Sequence, residues 1–164
     1  MTLLGRRTKE VLRFIISILV PLAAGAIGSV ATTPAIPTWY RTLTKPRFNP
    51  PNWLFAPAWT TLFVLMGIAL YLVWRQYTNT TSARPALIAF LVQLALNILW
   101  SFAFFGFKSP LAGLIVIIAL WVAIAQTISL FSRVSQTAAV LLVPYIAWVS
   151  FALVLNTTIL FLNL

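Results

Sequence analysis

The sequence contains no cysteine and no histidine, and Glu10 is its one acidic residue. Zinc sites, thiol or imidazole nucleophiles and paired-carboxylate chemistry all need residues that this chain does not have. Carboxylate proton relays, which are usual in ion-coupled transporters, are missing for the same reason. Only 7% of the residues are charged, against about 25% in soluble domains, so the chain cannot cover a water-facing surface. We therefore expect no catalytic residue set and no metal ligands.

Long apolar runs are what the chain has instead, and 62% of its residues are hydrophobic. Each run has about the 20 residues that a helix needs to cross a bilayer. The first run exceeds the roughly 7 to 15 apolar residues of a signal peptide, so we interpret it as a spanning helix. We predict a single all-α membrane domain over residues 1–164, a bundle of five transmembrane helices. They are predicted at about 11–31, 54–74, 86–106, 111–131 and 139–162.

The net charge is +10, and the basic residues lie at the helix ends and in the connections. This placement favours lipid headgroups and membrane topology over nucleic acid as the reason for the charge. The side that holds the N-terminus carries Arg6, Arg7, Lys9, Arg13, Arg75, Arg84 and Arg133. The opposite side carries Arg41, Lys45, Arg47 and Lys108. The excess on the first side predicts a cytoplasmic N-terminus.

Residues 32–53 form the one long connection between the predicted helices. The stretch WYRTLTKPRFNPPNWLFAPAW, residues 39–59, holds three of the seven tryptophans and four of the ten prolines. A disordered loop would have few aromatic residues, and prolines reduce the entropy lost when a loop adopts one shape. We predict that this connection is an ordered loop that packs on the helix bundle as a lid.

Polar and aromatic residues recur at helical spacing inside three of the apolar runs. Asn97 has Trp100 and Ser101 three and four residues later, which places them on one face. Phe55, Trp59 and Phe63 follow the same spacing, as do Trp148, Ala152 and Asn156. One interpretation is ordinary helix packing, with the amides as interhelical hydrogen-bonding groups. The other is the wall of a cavity for a flat, mostly apolar ligand.

Three blocks of sequence identify a family. The 39–59 stretch, QLALNILWSFAFFG in the third helix and PYIAWVSFALVLN in the fifth resemble the TspO/MBR family. Its members are also called tryptophan-rich sensory proteins, translocator proteins and peripheral-type benzodiazepine receptors. The resemblance covers essentially the whole chain. It implies a five-helix bundle, a homodimer, and a ligand cavity open toward the first loop.

The resemblance also implies ligands and the residues that bind them. Family ligands are tetrapyrroles such as protoporphyrin IX and haem, sterols, and benzodiazepine-type drugs. The ligand-binding residues carried over by motif are Tyr40, Trp59, Phe63, Asn97, Trp100, Trp148 and Ala152. In the loop, the residues expected at the ligand and its propionates are Trp39, Arg41, Lys45, Arg47 and Trp53. The C-terminal LVLNTTILFLNL lacks the Tyr and Arg of the animal proteins' proposed cholesterol motif.

These features predict a membrane receptor or sensor for porphyrins, with protoporphyrin IX or haem as a ligand and no obligatory cofactor. Two alternatives stay open. A transporter would move porphyrin or sterol passively, because the helices have no charged pathway. A light- and oxygen-dependent porphyrin-degrading enzyme would use the bound porphyrin itself as the photochemical agent. We rank the receptor first, the transporter second and the enzyme third, with lipid as the surroundings and no nucleic-acid partner.

Overall fold

The computed structural model of the chain describes residues 3–77 and 79–164, with side chains from Arg7 onward, so the predicted Arg6 side chain lies outside it. Its α-helices are α1 Leu3–Ala35, α2 Phe55–Trp74, α3 Ala83–Ser101, α4 Pro110–Ser132, α5 Gln136–Leu141 and α6 Val143–Leu162. Wide π-type turns, Ile36–Tyr40 and Phe102–Gly106, continue α1 and α3, and a 3-10 turn, Asn52–Leu54, leads into α2.

Five helical segments of the described residues are long and apolar enough to cross a membrane. They are Arg7–Tyr40, Asn52–Trp74, Ala83–Gly106, Pro110–Ser132 and Gln136–Leu162. The fifth segment combines α5 and α6. The predicted all-α bundle of five transmembrane helices is therefore confirmed, and the protein is an integral, multi-pass membrane protein.

The first helix is longer at both ends than the predicted 11–31, and helical structure continues to Tyr40. Part of the predicted loop is therefore helix, even though it contains prolines at 34 and 37. Threonine hydroxyls donate to carbonyls of the same helix, Thr32 to Gly28 O at 3.1 Å and Thr38 to Pro34 O at 2.7 Å. Such local hydrogen bonds allow membrane helices to accommodate proline.

The last span is interrupted, although the sequence predicts one helix over 139–162. It begins at Gln136, and Leu142 separates α5 from α6. Pro144 lies in the first turn of α6, where its missing amide removes no intrahelical hydrogen bond. The Ser135 hydroxyl accepts from the Ala138 amide at 3.3 Å and caps α5. The serine and the proline together explain why the chain restarts its helix here.

Helices α1 and α2 cross closely near the middle of the bundle. A Cβ atom on Gly67 would lie 2.8 Å from the Ile18 Cα and 2.8 Å from the Ser17 carbonyl oxygen, so only glycine allows this approach. At the N-terminal end, Glu10 accepts hydrogen bonds from Arg13 at 2.9 Å and from the Tyr71 hydroxyl at 3.2 Å. Between this crossing and the lid, α1, α2 and α3 enclose a cavity.

Candidate functional site

An aromatic-lined cavity of about 370 Å³ lies between α1, α2 and α3. Helix α1 contributes glycines and hydroxyl residues, whereas α2 and α3 contribute most of the aromatic rings. This volume lies within the roughly 300–1,000 Å³ of small-molecule sites. Five of the predicted ligand residues line it: Tyr40, Trp59, Phe63, Asn97 and Trp100.

The cavity opens sideways, between α1 and α2. Its exposed lining residues are Ala26, Ser29 and Thr33 on α1, Ala56 and Thr60 on α2, and Asn52 in the 3-10 turn before α2. Both helices are membrane spans, so this slot faces lipid rather than water. The resemblance implied an opening toward the first loop. The exposed edge reaches from Thr33 and Asn52, within that predicted loop, along the two helices to Ala26 and Thr60.

Aromatic rings form the wall of the cavity. The ring of Trp59 stacks on that of Phe63, with centroids 5.6 Å apart and planes at 28°. Trp59 and Trp100 lie 6.1 Å apart, and Trp100 stacks on Phe104 at 5.9 Å. The predicted i, i+4 stripe on α2 and the aromatic residues of α3 therefore meet in one wall. Such a surface is suited to a flat, largely apolar molecule.

The tryptophans differ in how their indole N–H groups are used. Trp100 Nε1 donates to Asn156 Oδ1 at 3.4 Å, and Asn156 Nδ2 donates to the Pro110 carbonyl at 2.8 Å. The indole N–H groups of Trp59 and Trp148 have no hydrogen-bond acceptor among residues 3–77 and 79–164. In an apolar environment an unpaired donor is unfavourable, so each is available to an acceptor on a ligand.

A relay of three polar side chains lies behind the aromatic wall. Asn97 Nδ2 donates to the Tyr145 hydroxyl at 3.0 Å, and that hydroxyl donates to Gln93 Oε1 at 3.0 Å. All three residues are buried, and the Tyr145 ring lies 6.3 Å from that of Trp59. Asn97 also lines the cavity. The relay thus holds the cavity amide in place from the side opposite the cavity.

Trp148 and Ala152 do not line the main cavity. They border an inner pocket of about 30 Å³ on the α6 side of the aromatic wall, together with Phe55 and Phe151. Tyr40, Trp59 and Trp100 border both spaces. The three tryptophans expected to surround one macrocycle therefore meet only at the inner pocket, and Trp148 does not reach the larger cavity. The Trp148 ring packs on Phe151, with centroids 5.7 Å apart.

The lid, residues 41–51, is ordered by hydrogen bonds at its inner edge. The Tyr40 hydroxyl donates to Asn49 Oδ1 at 2.6 Å. Lys45 Nζ donates to the carbonyls of Tyr40 at 2.7 Å and Leu43 at 2.9 Å, and lies 4.9 Å from the centre of the Tyr40 ring. Lys45 was expected at the ligand's propionates, but here its ammonium group braces the lid backbone.

The other predicted loop residues occupy three environments. Trp39 packs edge-on against Phe104, 5.4 Å away, and supports the wall from outside the cavity. Arg41 and Arg47 are exposed, with no ion pair among the described residues. Trp53 is 72% exposed and borders neither space. Its position at the end of a span is typical of an interfacial tryptophan.

A second attachment holds the outer edge of the lid to the end of α6. The Asn163 side chain accepts from the Thr44 amide at 2.9 Å and donates to the Thr44 carbonyl at 2.9 Å. The Phe48 ring lies edge-on to Phe151, 6.3 Å away. The C-terminal stretch thus interacts with the lid in a way that the sequence analysis did not predict.

Fold and site together define an integral membrane protein with a lipid-facing, tryptophan-lined cavity under an ordered lid. Residues 17–162 match the model of the TspO/MBR family. The chain is 47% identical to the tryptophan-rich protein TspO of Chlorobaculum tepidum, over 94% of this chain and 98% of that protein. It is 38% identical to the tryptophan-rich sensory protein of Cereibacter sphaeroides, over 84% of this chain and 87% of that one.

An animal protein is also similar. The translocator protein of Bos taurus is 36% identical, over 84% of this chain and 82% of its own length. The chain belongs to the TspO/MBR family, a family of membrane sensors and receptors, as its sequence blocks predicted.

Proposed function

We propose that this protein is a membrane receptor or sensor that binds tetrapyrroles such as protoporphyrin IX in the cavity between α1, α2 and α3. The observation that supports this most is the wall built by Trp59, Phe63 and Trp100, with ring centroids 5.6 to 6.1 Å apart. Aromatic pairs contribute about 0.5–1.5 kcal/mol beyond the burial of their area, so an additional flat ring gains from such a wall.

The polar groups at the site suit the edge of a porphyrin better than its metal. The unpaired indole N–H of Trp59 is a donor for a carboxylate or carbonyl oxygen, and Arg41 is an exposed cation directly after Tyr40. The Tyr40 hydroxyl, a candidate oxygen ligand for iron, is engaged with Asn49 at 2.6 Å. We therefore expect free-base protoporphyrin IX to bind as well as haem.

The opening between α1 and α2 determines the route by which a ligand enters the cavity. A slot bordered by Ser29, Thr33 and Thr60 faces the lipid, and the Ser29 and Thr60 hydroxyls donate to carbonyls of their own helices. An apolar ligand dissolved in the membrane would meet no free donor on these two side chains. A ligand that lies against Tyr40 would also touch the residue to which the lid is braced, so occupancy can be transmitted to the lid.

A titration of the purified protein with protoporphyrin IX, followed by tryptophan fluorescence, tests the proposal. We expect saturable, stoichiometric quenching that weakens about 3- to 10-fold in Trp59→Phe and Trp100→Phe, the loss of one good aromatic contact. Trp121→Phe is the matched control, because its indole donates to Ser150 at 2.8 Å on a surface remote from the cavity lining. Quenching that never saturates and ignores all three substitutions would mean partition into the detergent, and the proposal would be wrong.

Passive transport of the same ligand is the second candidate. The lipid-facing slot favours it, since a molecule could enter and leave without crossing water. Flux of protoporphyrin IX between the leaflets of vesicles separates the two functions. A receptor binds without raising flux above that of protein-free vesicles, whereas a transporter raises it and loses this effect when the slot is blocked.

A further inference from the structure

A groove of about 640 Å³ lies on the opposite side of α2 from the lipid-facing slot. It runs between α2 and α6 and is bordered by Leu54, Pro57, Ala58, Thr61, Leu62, Pro144, Ala147, Trp148 and Phe151. Helix α2 packs mainly on α1, and α6 packs mainly on α4, so the backbones of α2 and α6 lie apart and ring pairs such as Phe55–Trp148 bridge them. The groove is open toward the lipid and its lining is almost wholly apolar.

One layer of side chains separates this groove from the inner pocket. Trp148 and Phe151 line both spaces. On the far side of the inner pocket, Trp59 and Trp100 also line the main cavity. The slot, the cavity, the inner pocket and the groove therefore form a row, and Trp148 occupies the thin place between the last two.

The contacts that hold this layer are weak and non-directional. Trp148 touches Phe55 at 6.4 Å and Phe151 at 5.7 Å between ring centroids, and its indole N–H has no acceptor among the described residues. The rims carry Pro57 and Pro144, each in the first turn of its helix, where the missing amide removes no intrahelical hydrogen bond. A change in the Trp148 rotamer would break two ring contacts and no hydrogen bond.

We propose that the groove between α2 and α6 is a second lateral passage between the cavity and the lipid, and that Trp148 closes it. The proposal rests on the proposed function, because the molecule that passes is the flat apolar ligand of the cavity. A ligand in contact with Trp59, Trp100 and Trp148 together must displace the aromatic layer, since the inner pocket now measures about 30 Å³. Displacement of Trp148 lets such a ligand extend into the inner pocket and exchange with lipid on the α6 side.

Rate constants distinguish a passage from a simple contact. A residue that only closes a passage affects association and dissociation by the same factor and leaves Kd unchanged, whereas a ligand contact acts mainly on dissociation. We expect Trp148→Ala to raise the association rate constant for protoporphyrin IX several-fold, measured by stopped-flow quenching from lipid vesicles. Dissociation should rise at least as much, because the variant also loses a ring contact with the ligand, whereas a residue that is only a contact would leave association unchanged. Trp148→Phe, which keeps a ring, should raise both by less and serves if the alanine variant does not fold.

A blocking experiment tests the groove itself. The chain has no cysteine, so Ala147→Cys places a single thiol on the groove and Ala26→Cys places one at the slot, both at exposed lining residues. Modification of the groove thiol with N-cyclohexylmaleimide should slow both rate constants with Kd unchanged. If the modified groove thiol and Trp148→Ala both leave the rates unaltered while the modified slot thiol slows them, ligand exchanges through the slot alone and the proposal is overturned.

A measurement that uses no porphyrin tests the passage independently of the proposed function. Ala152 lies on the inner pocket behind Trp148. The thiol of Ala152→Cys should react several-fold faster with N-cyclohexylmaleimide when Trp148→Ala is added. Equal rates in the two backgrounds would exclude Trp148 as the barrier. A faster rate without any saturable porphyrin binding would retain the passage and reject the porphyrin.

Discussion

At the scale of single residues, the hydrogen-bonded relay Asn97–Tyr145–Gln93 predicts that the loss of one hydroxyl lowers stability. Tyr145→Phe removes one hydroxyl and leaves the Asn97 and Gln93 amides, both buried, without their shared partner. Orphaned buried polar groups destabilise by about 1–3 kcal/mol. We expect a lower thermal unfolding temperature in detergent and weaker protoporphyrin IX binding, because Asn97 is no longer held at the cavity.

The matched control for this substitution is Tyr77→Phe. Tyr77 is 47% exposed, and its hydroxyl has no hydrogen bond among the described residues. If Tyr145→Phe unfolds at the same temperature as Tyr77→Phe, the relay contributes nothing to stability. Unchanged binding in a folded Tyr145→Phe protein would show that Asn97 is positioned by its own helix.

The sequence predicted which polar side chains inside the bundle need hydrogen-bond partners, but it did not predict which residues those partners are. The cost of an unpaired amide in hydrocarbon indicated that Gln93, Asn97 and Asn156 needed hydrogen bonds. It did not identify Tyr145, which lies three residues before Trp148 and shares its helical face. That spacing was a usable signal. Trp148 borders the inner pocket and not the main cavity because of the way in which α2 and α6 pack. Helical periodicity carries no information about that packing.

The lid cations test the predicted role of the loop residues. Arg41 is exposed and unpaired, whereas the Lys45 ammonium is bound to lid carbonyls. Arg41→Gln should weaken protoporphyrin IX binding by about 2- to 5-fold, the range of an exposed ion pair, and leave its dimethyl ester unaffected. Lys45→Gln should weaken both ligands equally, because it loosens the lid. Titrations with the acid and the ester measure this, and an equal loss for both ligands in Arg41→Gln would exclude a propionate contact.

At the scale of elements, the lid depends on the end of the last helix. Asn163→Ala removes both hydrogen bonds to Thr44. We expect faster amide hydrogen exchange over residues 41–51, measured by mass spectrometry, with exchange in the helices unchanged. Thr158→Val is the control, since the Thr158 hydroxyl donates to Val154 of its own helix at 2.8 Å. Identical lid exchange in both variants would show that Lys45 and Asn49 hold the lid without Asn163.

The presence of each membrane-spanning helix was predictable from the length of its apolar run, whereas the residues at which the helices begin and end were not. The first helix was predicted to end near residue 31, with the prolines at 34 and 37 in the loop, yet helical structure continues to Tyr40. Threonine hydroxyls and the packing of Trp39 and Tyr40 on Phe104 hold this segment, and those contacts involve α3. Tertiary packing therefore overrides local propensity at the end of α1, whereas the division of α5 from α6 follows from a local feature, Pro144.

For the whole molecule, the small residues of α1 allow this helix to pack closely on two other helices of the same chain. Four-residue spacing of Ala24 with Gly28 and of Gly25 with Ser29 is compatible with contact between two chains. In the structure, however, Gly25 lies against the Phe63 ring and Gly28 against the Ser101 hydroxyl of the same chain. The motif thus closes α1 onto α2 and α3, and the gap that it leaves is the lipid-facing slot.

The orientation of the molecule in the membrane is the last prediction. The end of the bundle with the N-terminus carries Arg7, Lys9, Arg13, Arg75, Arg84 and Arg133, and the lid end carries Arg41, Lys45, Arg47 and Lys108. Because positive charge is retained in the cytoplasm, the lid should face away from it. Thr81 and Phe107 are exposed residues at opposite ends of the bundle. Single-cysteine variants at these two positions therefore report the orientation. A membrane-impermeant maleimide should label Phe107→Cys in intact cells and Thr81→Cys only after lysis, and the reverse pattern would place the lid in the cytoplasm.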